Sequence, residues 1–170
     1  MSSKKLRIFL GDITHDTIIL VSDTIPINIG FIASYINKIY GEKVEIELFK
    51  YPKDIISEIK KNPPDVLALS NYSWNSNLSE FIASVAKNIS PNVVTVQGGT
   101  NFPHDEETQR TFISERPSTD IFTILEGEKS CANIIGRVLE SDRDRTKIFK
   151  KKIDGCVFIH PDTKETENPI

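Results

Sequence analysis

The feature of this sequence that most constrains its fold is an alternation between short apolar runs and segments with helical periodicity. Such alternation favours a parallel sheet covered on both faces, because right-handed crossovers place helices over each face in turn. The predicted strands are 6–10, 44–49, 65–70, 93–97 and 120–125, and the predicted helices are 26–40, 54–61, 78–89 and a segment through 134–138.

One run differs from the others and indicates the strand order. Val44–Phe49 alternates polar and apolar residues, whereas the other four runs are predominantly apolar. A strand that alternates in this way is typical of a sheet edge. We therefore predict an α/β fold with a doubly wound, five-stranded parallel sheet in the flavodoxin-like order 2-1-3-4-5.

The C-terminal region breaks the alternation. Asp154-Gly155, between the runs 147–153 and 156–160, has the two-residue signature of a tight hairpin. The positive charges of 147–152 suit a solvated strand edge. We predict two parts, an α/β unit over residues 1–140 and a hairpin with a linker tail over 141–170.

Composition excludes several classes of protein. The 170 residues suffice for one hydrophobic core, and 21 Lys+Arg against 24 Asp+Glu lack the basic excess of nucleic-acid-binding proteins.

No apolar run approaches the roughly 20 residues of a membrane span, and the N-terminus lacks a signal-peptide core. Cys131 and Cys156 lie too far from other ligands for a metal finger and are predicted to be reduced thiols. We expect a cytoplasmic protein that binds neither nucleic acid nor membrane.

The segments that follow the predicted strands are polar, small or aromatic. In open parallel sheets, ligands bind at the carboxyl ends of the strands, so these segments are expected to meet at one edge. Gly98 and Gly99 have no Cβ atom and would let a ligand approach the backbone closely. The segments are 11–16, 70–75, 98–101 and 126–128.

Four segments together carry a resemblance to a known family. They are PINIGFIASY at 26–35, PDVLALSNYSWN at 64–75, VQGGT at 96–100 and EGE at 126–128. In order and spacing they resemble the N-terminal cobalamin-binding domain of cobalamin-dependent radical S-adenosylmethionine enzymes, over roughly residues 5–140. The resemblance implies a flavodoxin-like domain that holds the corrin at the strand ends, with the dimethylbenzimidazole tail detached from cobalt and lying in a groove beside the sheet.

The resemblance also implies which residues contact the cofactor. Ser70 would hydrogen-bond the buried tail, and Gly98 and Gly99 would let the tail pass. The loop under the corrin would contain an indole that shields the cobalt face from water. The full implied set is Ser70, Tyr72, Trp74, Asn75, Gly98, Gly99, Thr100 and Gly127. For the glutamates that flank Gly127, stabilisation of a helix N-terminus is a sufficient explanation without any ligand.

The loop after the first strand departs from a related pattern. Cobalamin domains of methyl transferases and mutases carry Asp-x-His-x-x-Gly there, with the His bound to cobalt. Here Asp12 is followed by Thr14 in the His position and Thr17 in the Gly position. Many radical enzymes of the family also lack that histidine. His15, one residue away, is the candidate cobalt ligand, and a solvent-exposed loop histidine is the alternative.

The iron–sulfur motif of the family is missing from this sequence. Family enzymes carry Cys-x-x-x-Cys-x-x-Cys in a barrel that follows the cobalamin domain, and this chain has 2 Cys in all. S-adenosylmethionine and a four-iron cluster would therefore reside in an absent domain or a partner. We predict a cobalamin-binding module that is not catalytic alone and works with a radical S-adenosylmethionine barrel in cis or in trans.

Two other functions are possible on the same fold. A flavin-binding protein would need a glycine-rich phosphate cradle after the first strand, where Thr14–Thr17 contains no glycine and Asp12 and Asp16 would repel phosphate. A phosphoacceptor signalling domain would need an aspartate where Ser70 stands. A flavin-binding or other redox or signalling domain of this fold remains the alternative to cobalamin binding.

Overall fold

The structure, a computed structural model, describes residues 4–15, 25–124, 126–160, 163 and 166–167. Within these ranges seven strands form one sheet in the order β2-β1-β3-β4-β5-β6-β7. The first five strands in the chain run parallel, and β6 and β7 are antiparallel to their neighbours. The strands are β1 Leu6–Gly11, β2 Val44–Phe49, β3 Val66–Ser70, β4 Val94–Gly98, β5 Ile121–Thr123, β6 Cys156–Ile159 and β7 Thr166–Glu167.

Six α-helices and one 3₁₀ turn in the described ranges connect these strands. Pro52 at the start of the second helix has the fixed φ that suits a first helical position. The 3₁₀ turn Gly41–Lys43 leads directly into β2. The helices are α1 Ile27–Tyr40, α2 Pro52–Lys61, α3 Ser76–Ile89, α4 Glu106–Ser114, α5 Gly127–Glu140 and α6 Arg145–Ile148.

The sheet confirms the predicted order of its parallel part and corrects the strand count. The strands β1 to β5 are arranged 2-1-3-4-5 with β2 at the edge, as its alternating pattern indicated. The prediction of five strands is wrong, because β6 pairs with β5 and extends the same sheet. Phe158 and Cys156 of β6 are fully buried, so the extension belongs to the core.

The position predicted for the C-terminal hairpin is also wrong. No strand forms over 147–153, where α6 ends and turns follow. Ile148, Phe149 and Ile153 of this segment are buried in irregular spacing rather than in alternation, so they anchor a turn and not a strand. Asp154 and Gly155 form the turn that enters β6, and the antiparallel pair is β6 with β7.

Helix α4 has no counterpart among the predicted elements. Its sequence, EETQRTFIS, contains only two large apolar residues, so its helical periodicity is weak. A local signal starts it nevertheless. The side chain of Asp105 accepts a hydrogen bond from the backbone N–H of Thr108 at 2.9 Å, which caps the helix.

Two cores lie on opposite faces of the parallel strands. On one face Leu6, Ile8 and Leu10 pack with residues of α1 and α5. On the other face Phe9 and Leu67 pack with residues of α2 and α3. Most residues of the central strands are therefore buried against one core or the other, which explains why these strands are predominantly apolar and the edge strand alternates.

Candidate functional site

A groove of about 410 Å³ lies between α1 and α5, above the carboxyl ends of the parallel strands. Its floor is apolar, and its upper part carries a few hydroxyl and amide groups. The first two turns of α1 and of α5 form its walls, since both helices begin at this edge of the sheet. The strands contribute Leu10, Ala68, Leu69, Ser70, Val96, Gly98 and Thr123, and the loops that follow β3 and β4 contribute Tyr72 and Gly99.

The last residues of three neighbouring strands, β3, β4 and β5, lie side by side and form a row at the opening of the groove. Ser70 is the register partner of Gly98, and Gly98 is the register partner of Thr123. A Cβ atom on Gly98 would lie 2.0 Å from the Thr123 Oγ1 atom. Gly98 therefore leaves a gap between the hydroxyl side chains of Ser70 and Thr123. Any other residue at this position would displace the Thr123 side chain.

The backbone after Gly98 also requires glycine. Gly99 has a φ of +139°, and a Cβ atom there would lie 2.5 Å from the Asn71 carbonyl oxygen. The two predicted glycines thus lie on the groove together with Ser70, as a shared site requires.

Asn71 joins the two loops at this edge and has no counterpart among the predicted residues. It is fully buried, and its backbone N–H donates to the Gly98 carbonyl at 2.7 Å. Its side-chain nitrogen donates to the Gln97 Oε1 atom, and its Oδ1 atom accepts from the Asn101 Nδ2 atom at 2.8 Å. No sequence signal distinguishes such a buried amide from an exposed loop asparagine.

The Ser70 hydroxyl group both donates and accepts a hydrogen bond. Its Oγ atom donates to the Asp12 Oδ1 atom at 2.6 Å and accepts from the Asn75 Nδ2 atom at 2.9 Å. Asn75 is fully buried, and its Oδ1 atom also accepts from the Tyr72 backbone N–H at 2.7 Å. Asn75 therefore shapes the loop and holds Ser70, and it does not line the groove.

Tyr72 and Trp74 form a stacked pair at the same edge. Their ring centroids are 4.6 Å apart with an interplanar angle of 11°, and Trp74 is 64% exposed. The Asn28 Nδ2 atom of α1 donates to the Tyr72 hydroxyl at 3.2 Å. Tyr72 lines the groove, whereas Trp74 stands outside it beside the mouth.

His15 is engaged with this aromatic loop. Its Nε2 atom lies 2.8 Å from the Trp74 carbonyl oxygen. Because a carbonyl oxygen only accepts hydrogen bonds, Nε2 must carry the proton. A protonated Nε2 has no lone pair for a metal ion, so coordination through this atom would require the bond to break. Thr17, the other residue of the altered motif, lies outside the described residues.

The remaining predicted positions separate into two groups. Gly127 lines the groove at the start of α5, and a Cβ atom there would lie 3.2 Å from the Ile32 Cδ1 atom. Thr100 is exposed and does not line the groove. The sequence explains the two glutamates that flank Gly127 by helix stabilisation. In the structure Glu128 lines the groove, whereas the N-cap residue Glu126 is exposed and its side chain makes no capping hydrogen bond.

Cys131 lies at the groove on the second turn of α5. Both cysteines are free and buried, as predicted for reduced thiols. Burial, with a smaller contribution from Glu128, raises the pKa of the Cys131 thiol to about 12. The thiol is therefore neutral and contributes an apolar surface to the groove.

Two further properties follow from the part of the chain that the structure describes. No three His, Cys, Asp or Glu side chains there are grouped as a metal site would need. None of the described helices has both the length and the apolar content for a membrane crossing.

Comparison with known proteins identifies relatives over much of the chain. The enzyme named cobalamin-dependent radical SAM methyltransferase TokK, from Streptomyces tokunonensis, is 34% identical over 85 residues, which are 50% of this chain and 12% of that protein. The 2-(S-pantetheinyl)-carbapenam-3-carboxylate methyltransferase of Streptantibioticus cattleyicolor is 32% identical over 85 residues, again 12% of its length.

Solved structures agree in fold. The cobalamin-dependent S-adenosylmethionine radical enzyme OxsB, with aqua-cobalamin and S-adenosylmethionine bound, superposes with a TM-score of 0.73 at 16% identity. The match covers 98% of this chain and 22% of OxsB. The family model described as B12 binding domain matches residues 17–135, well over half of the sequence. The chain therefore belongs to the B12-binding domain family.

Proposed function

We propose that this chain binds cobalamin, with the corrin at the carboxyl edge of the sheet and the detached base in the groove. The observation that carries the proposal is the row of Ser70, Gly98 and Thr123, which opens a groove in a chain of the B12-binding domain family. The same family membership favours cobalamin over a flavin.

The residues present fit the cofactor's tail. The groove's volume of about 410 Å³ lies within the usual range of small-molecule sites, roughly 300–1,000 Å³. Leu10, Ala68 and Val96 give it an apolar floor, which suits a flat aromatic base. The glycines leave open the space that side chains would fill.

Ser70 would hold the base through its hydroxyl group. A ring nitrogen that lacks a proton needs a donor, and the Ser70 proton is directed to Asp12. Binding therefore requires the hydroxyl to turn from the carboxylate to the base. Asn75 would keep the Ser70 oxygen in place during this exchange, because its amide donates to that atom from a buried position.

The stacked pair of Tyr72 and Trp74 would lie against the corrin. The exposed indole of Trp74 offers a flat apolar surface. A corrin ring lying against it would remove that surface from water. When bound, cobalamin would supply a cobalt centre that can carry a methyl group or exchange electrons. The cobalt-ligand role predicted for His15 stays a prediction, and the bond from Nε2 to the Trp74 carbonyl favours the role of a loop histidine.

The proposal extends to the rest of the enzyme. The chain spans 12% of the curated relatives and 22% of OxsB. We propose that S-adenosylmethionine and the four-iron cluster belong to a radical barrel, in cis or in trans. Every described residue that lines the groove precedes residue 140, which supports residues 1–140 as the binding unit and 141–170 as the part that leads toward that barrel.

Titration with hydroxocobalamin tests the proposal. Trp74 is the single tryptophan of the chain, so its fluorescence reports on the proposed corrin site alone. We expect saturable quenching at one cofactor per chain, together with the absorbance spectrum of cobalamin whose base is detached. Ser70→Ala should weaken binding by roughly tenfold, the effect of one hydrogen bond of about 1.4 kcal/mol. Absence of binding, or equal quenching by flavin mononucleotide, would contradict the proposal.

A further inference from the structure

We propose that Glu80 of α3 is a positioning residue for the cofactor site: through three linked side-chain amides it fixes the two loops that follow β3 and β4. These amides belong to Gln97, Asn71 and Asn101, and we call them the amide relay. Glu80 is not among the described residues that line the groove, so it would act on the cofactor only through the relay. The inference rests on the proposed cobalamin function and adds a residue that controls the shape of that site.

The amide relay joins α3 to the carboxyl edge by an unbroken series of side-chain hydrogen bonds. The Gln97 Nε2 atom donates to the Thr119 Oγ1 atom at 2.6 Å and to the Glu80 Oε2 atom at 3.3 Å. The Asn71 Nδ2 atom donates to the Gln97 Oε1 atom, and the Asn101 Nδ2 atom donates to the Asn71 Oδ1 atom at 2.8 Å. Gln97 and Asn71 are buried, so water does not replace these partners.

The carboxylate of Glu80 determines the direction of the bonds in the relay. A carboxylate only accepts hydrogen bonds, and this one accepts from the Ser118 backbone N–H and from the Thr119 hydroxyl, both at 2.7 Å. Because the Thr119 proton is used in this way, Gln97 has to direct its amide nitrogen toward Thr119 and Glu80. Its Oε1 atom then faces Asn71, which has to present its own nitrogen. A reversed amide at either position would place donor against donor or acceptor against acceptor in a buried site.

Asn71 transmits this orientation to the backbone of both loops. It directly follows Ser70, and its backbone N–H donates to the Gly98 carbonyl at 2.7 Å. Its carbonyl oxygen lies 2.5 Å from the place that a Cβ atom on Gly99 would occupy, and it accepts from the Asn101 backbone N–H at 3.4 Å. A turned Asn71 side chain would therefore shift Ser70 and the glycines relative to one another.

Stability alone does not explain the amide relay. Val94 and Val96, in the same strand as Gln97, are buried and apolar. Burying an amide is unfavourable unless its hydrogen bonds are complete, and replacing satisfied polar partners by apolar side chains of the same shape is often nearly neutral for stability. What the relay adds is a defined orientation, which apolar contacts do not impose.

Moving the carboxylate along the relay tests this role. Glu80→Gln places an amide nitrogen among the donors, so the relay can also run in the opposite direction. The affinity for hydroxocobalamin, measured by Trp74 quenching and normalised to the folded fraction, should fall at least roughly threefold, because only part of the population keeps the loops in the binding arrangement. The double variant Glu80→Gln/Gln97→Glu again requires a donor from Asn71 and should restore the affinity to within about twofold of the wild type.

Glu58→Gln is the matched control. Glu58 lies in α2, which packs on the same face of the sheet as α3, and it pairs with Lys61 at 3.6 Å. The substitution removes the same charge without touching the relay, so the affinity should not change. A loss in Glu58→Gln as large as in Glu80→Gln would overturn the inference, because the effect would then belong to the net charge.

Hydrogen exchange of the cofactor-free chain gives a second readout. The Asn71 backbone N–H should exchange faster in Glu80→Gln and regain its protection in the double variant, because its bond to the Gly98 carbonyl depends on the relay. A purely structural role of Glu80 would instead speed exchange throughout the domain, without recovery at Asn71 in the double variant.

The outcomes separate the two proposals. If the wild-type chain does not bind hydroxocobalamin, the proposed function and this inference both fail. If Glu80→Gln binds as tightly as the wild type, or the folded double variant binds as weakly as Glu80→Gln, the positioning role is wrong and the proposed function stands. Because Glu80 is only partly buried, Glu80→Gln is expected to fold, and with its control it decides the matter if the double variant does not fold.

Discussion

The two edges of the sheet are built from different interactions. At the carboxyl edge, glycines, side-chain hydrogen bonds of the loops and exposed apolar side chains lie around the groove; Trp74 is 64% and Phe31 58% exposed there. At the amino edge, partly buried ion pairs hold the strands together: Asp120 pairs with Arg145 at 2.7 Å, and Asp65 pairs with Arg143 at 3.1 Å. The difference indicates that ion pairs stabilise the fold at one edge, whereas the candidate site occupies the other.

A turn after α5 makes this division possible. Asp142 and Arg143 adopt positive φ values of 49° and 62°, which reverse the chain across the amino edge. The Arg143 Nη2 atom then donates to the Lys4 carbonyl at 2.8 Å, and the Arg145 Nη1 atom donates to the Val93 carbonyl at 2.8 Å. These contacts tie the C-terminal extension to the starts of β1 and β4, away from the groove.

The largest effect is expected from removing the central carboxylate of the amino edge. Asp120→Ala leaves Arg145 and Lys87 without their shared partner in a site where the Asp120 side chain is 12% exposed. We expect a loss of about 3 kcal/mol in the free energy of unfolding, measured by urea denaturation. The part that remains folded should keep its affinity for hydroxocobalamin; a change in that affinity would mean that the two edges are coupled.

Acid should act on the same carboxylate more mildly than deletion. Burial opposes ionisation of Asp120, but the pairs with Arg145 and Lys87 prevail and lower its pKa. A group with a lowered folded-state pKa stabilises the protein above its unfolded pKa, about 3.9, and loses this contribution as the pH falls through the folded pKa. The urea concentration at the midpoint of unfolding should therefore decrease as the pH is lowered below about 4. Asp120→Asn should lack this component, and an identical acid profile in that variant would contradict the assignment.

At the carboxyl edge, a single methyl group should weaken binding with little effect on the fold. Gly98→Ala places a Cβ atom 2.0 Å from the Thr123 Oγ1 atom, so Thr123 must turn and the open row is narrowed. We expect at least roughly a tenfold loss of affinity for hydroxocobalamin. Gly30→Ala is the matched control, since a Cβ atom on Gly30 in α1 meets nothing within 4 Å. Equal losses in both variants would show that the row does not hold the cofactor.

The smallest effect is expected at His15. His15→Ala removes a hydrogen bond to the Trp74 carbonyl at an exposed position. The affinity should fall by roughly twofold at most, which is less than 1 kcal/mol. The absorbance spectrum of the bound cofactor should not change, and the exposed His104 provides the control substitution. A spectral shift in His15→Ala alone would establish His15 as a cobalt ligand.

Part of the candidate site could be predicted because the sequence shows where glycines and polar residues follow the apolar strands. Ser70 and Gly98 follow apolar runs, and the carboxyl ends of parallel strands must meet at one edge, so their proximity followed from strand order alone. Asn71 and the groove-facing position of Glu128 could not be predicted in this way. The partners of Asn71 lie 26 and 30 residues away, and no local pattern records such pairings.

The amino acid sequence by itself determined the parallel core and its order, because strands covered on both faces are predominantly apolar and an edge strand need not be. It also determined where glycine replaces side chains at the strand ends. Only the tertiary structure decided that β6 and β7 extend the sheet, that 147–153 turns rather than pairs, and that Arg143 reaches Asp65 across 78 residues. The reason is physical: hydrophobic periodicity is a local property of the chain, whereas ion pairs and strand additions depend on which distant segments meet.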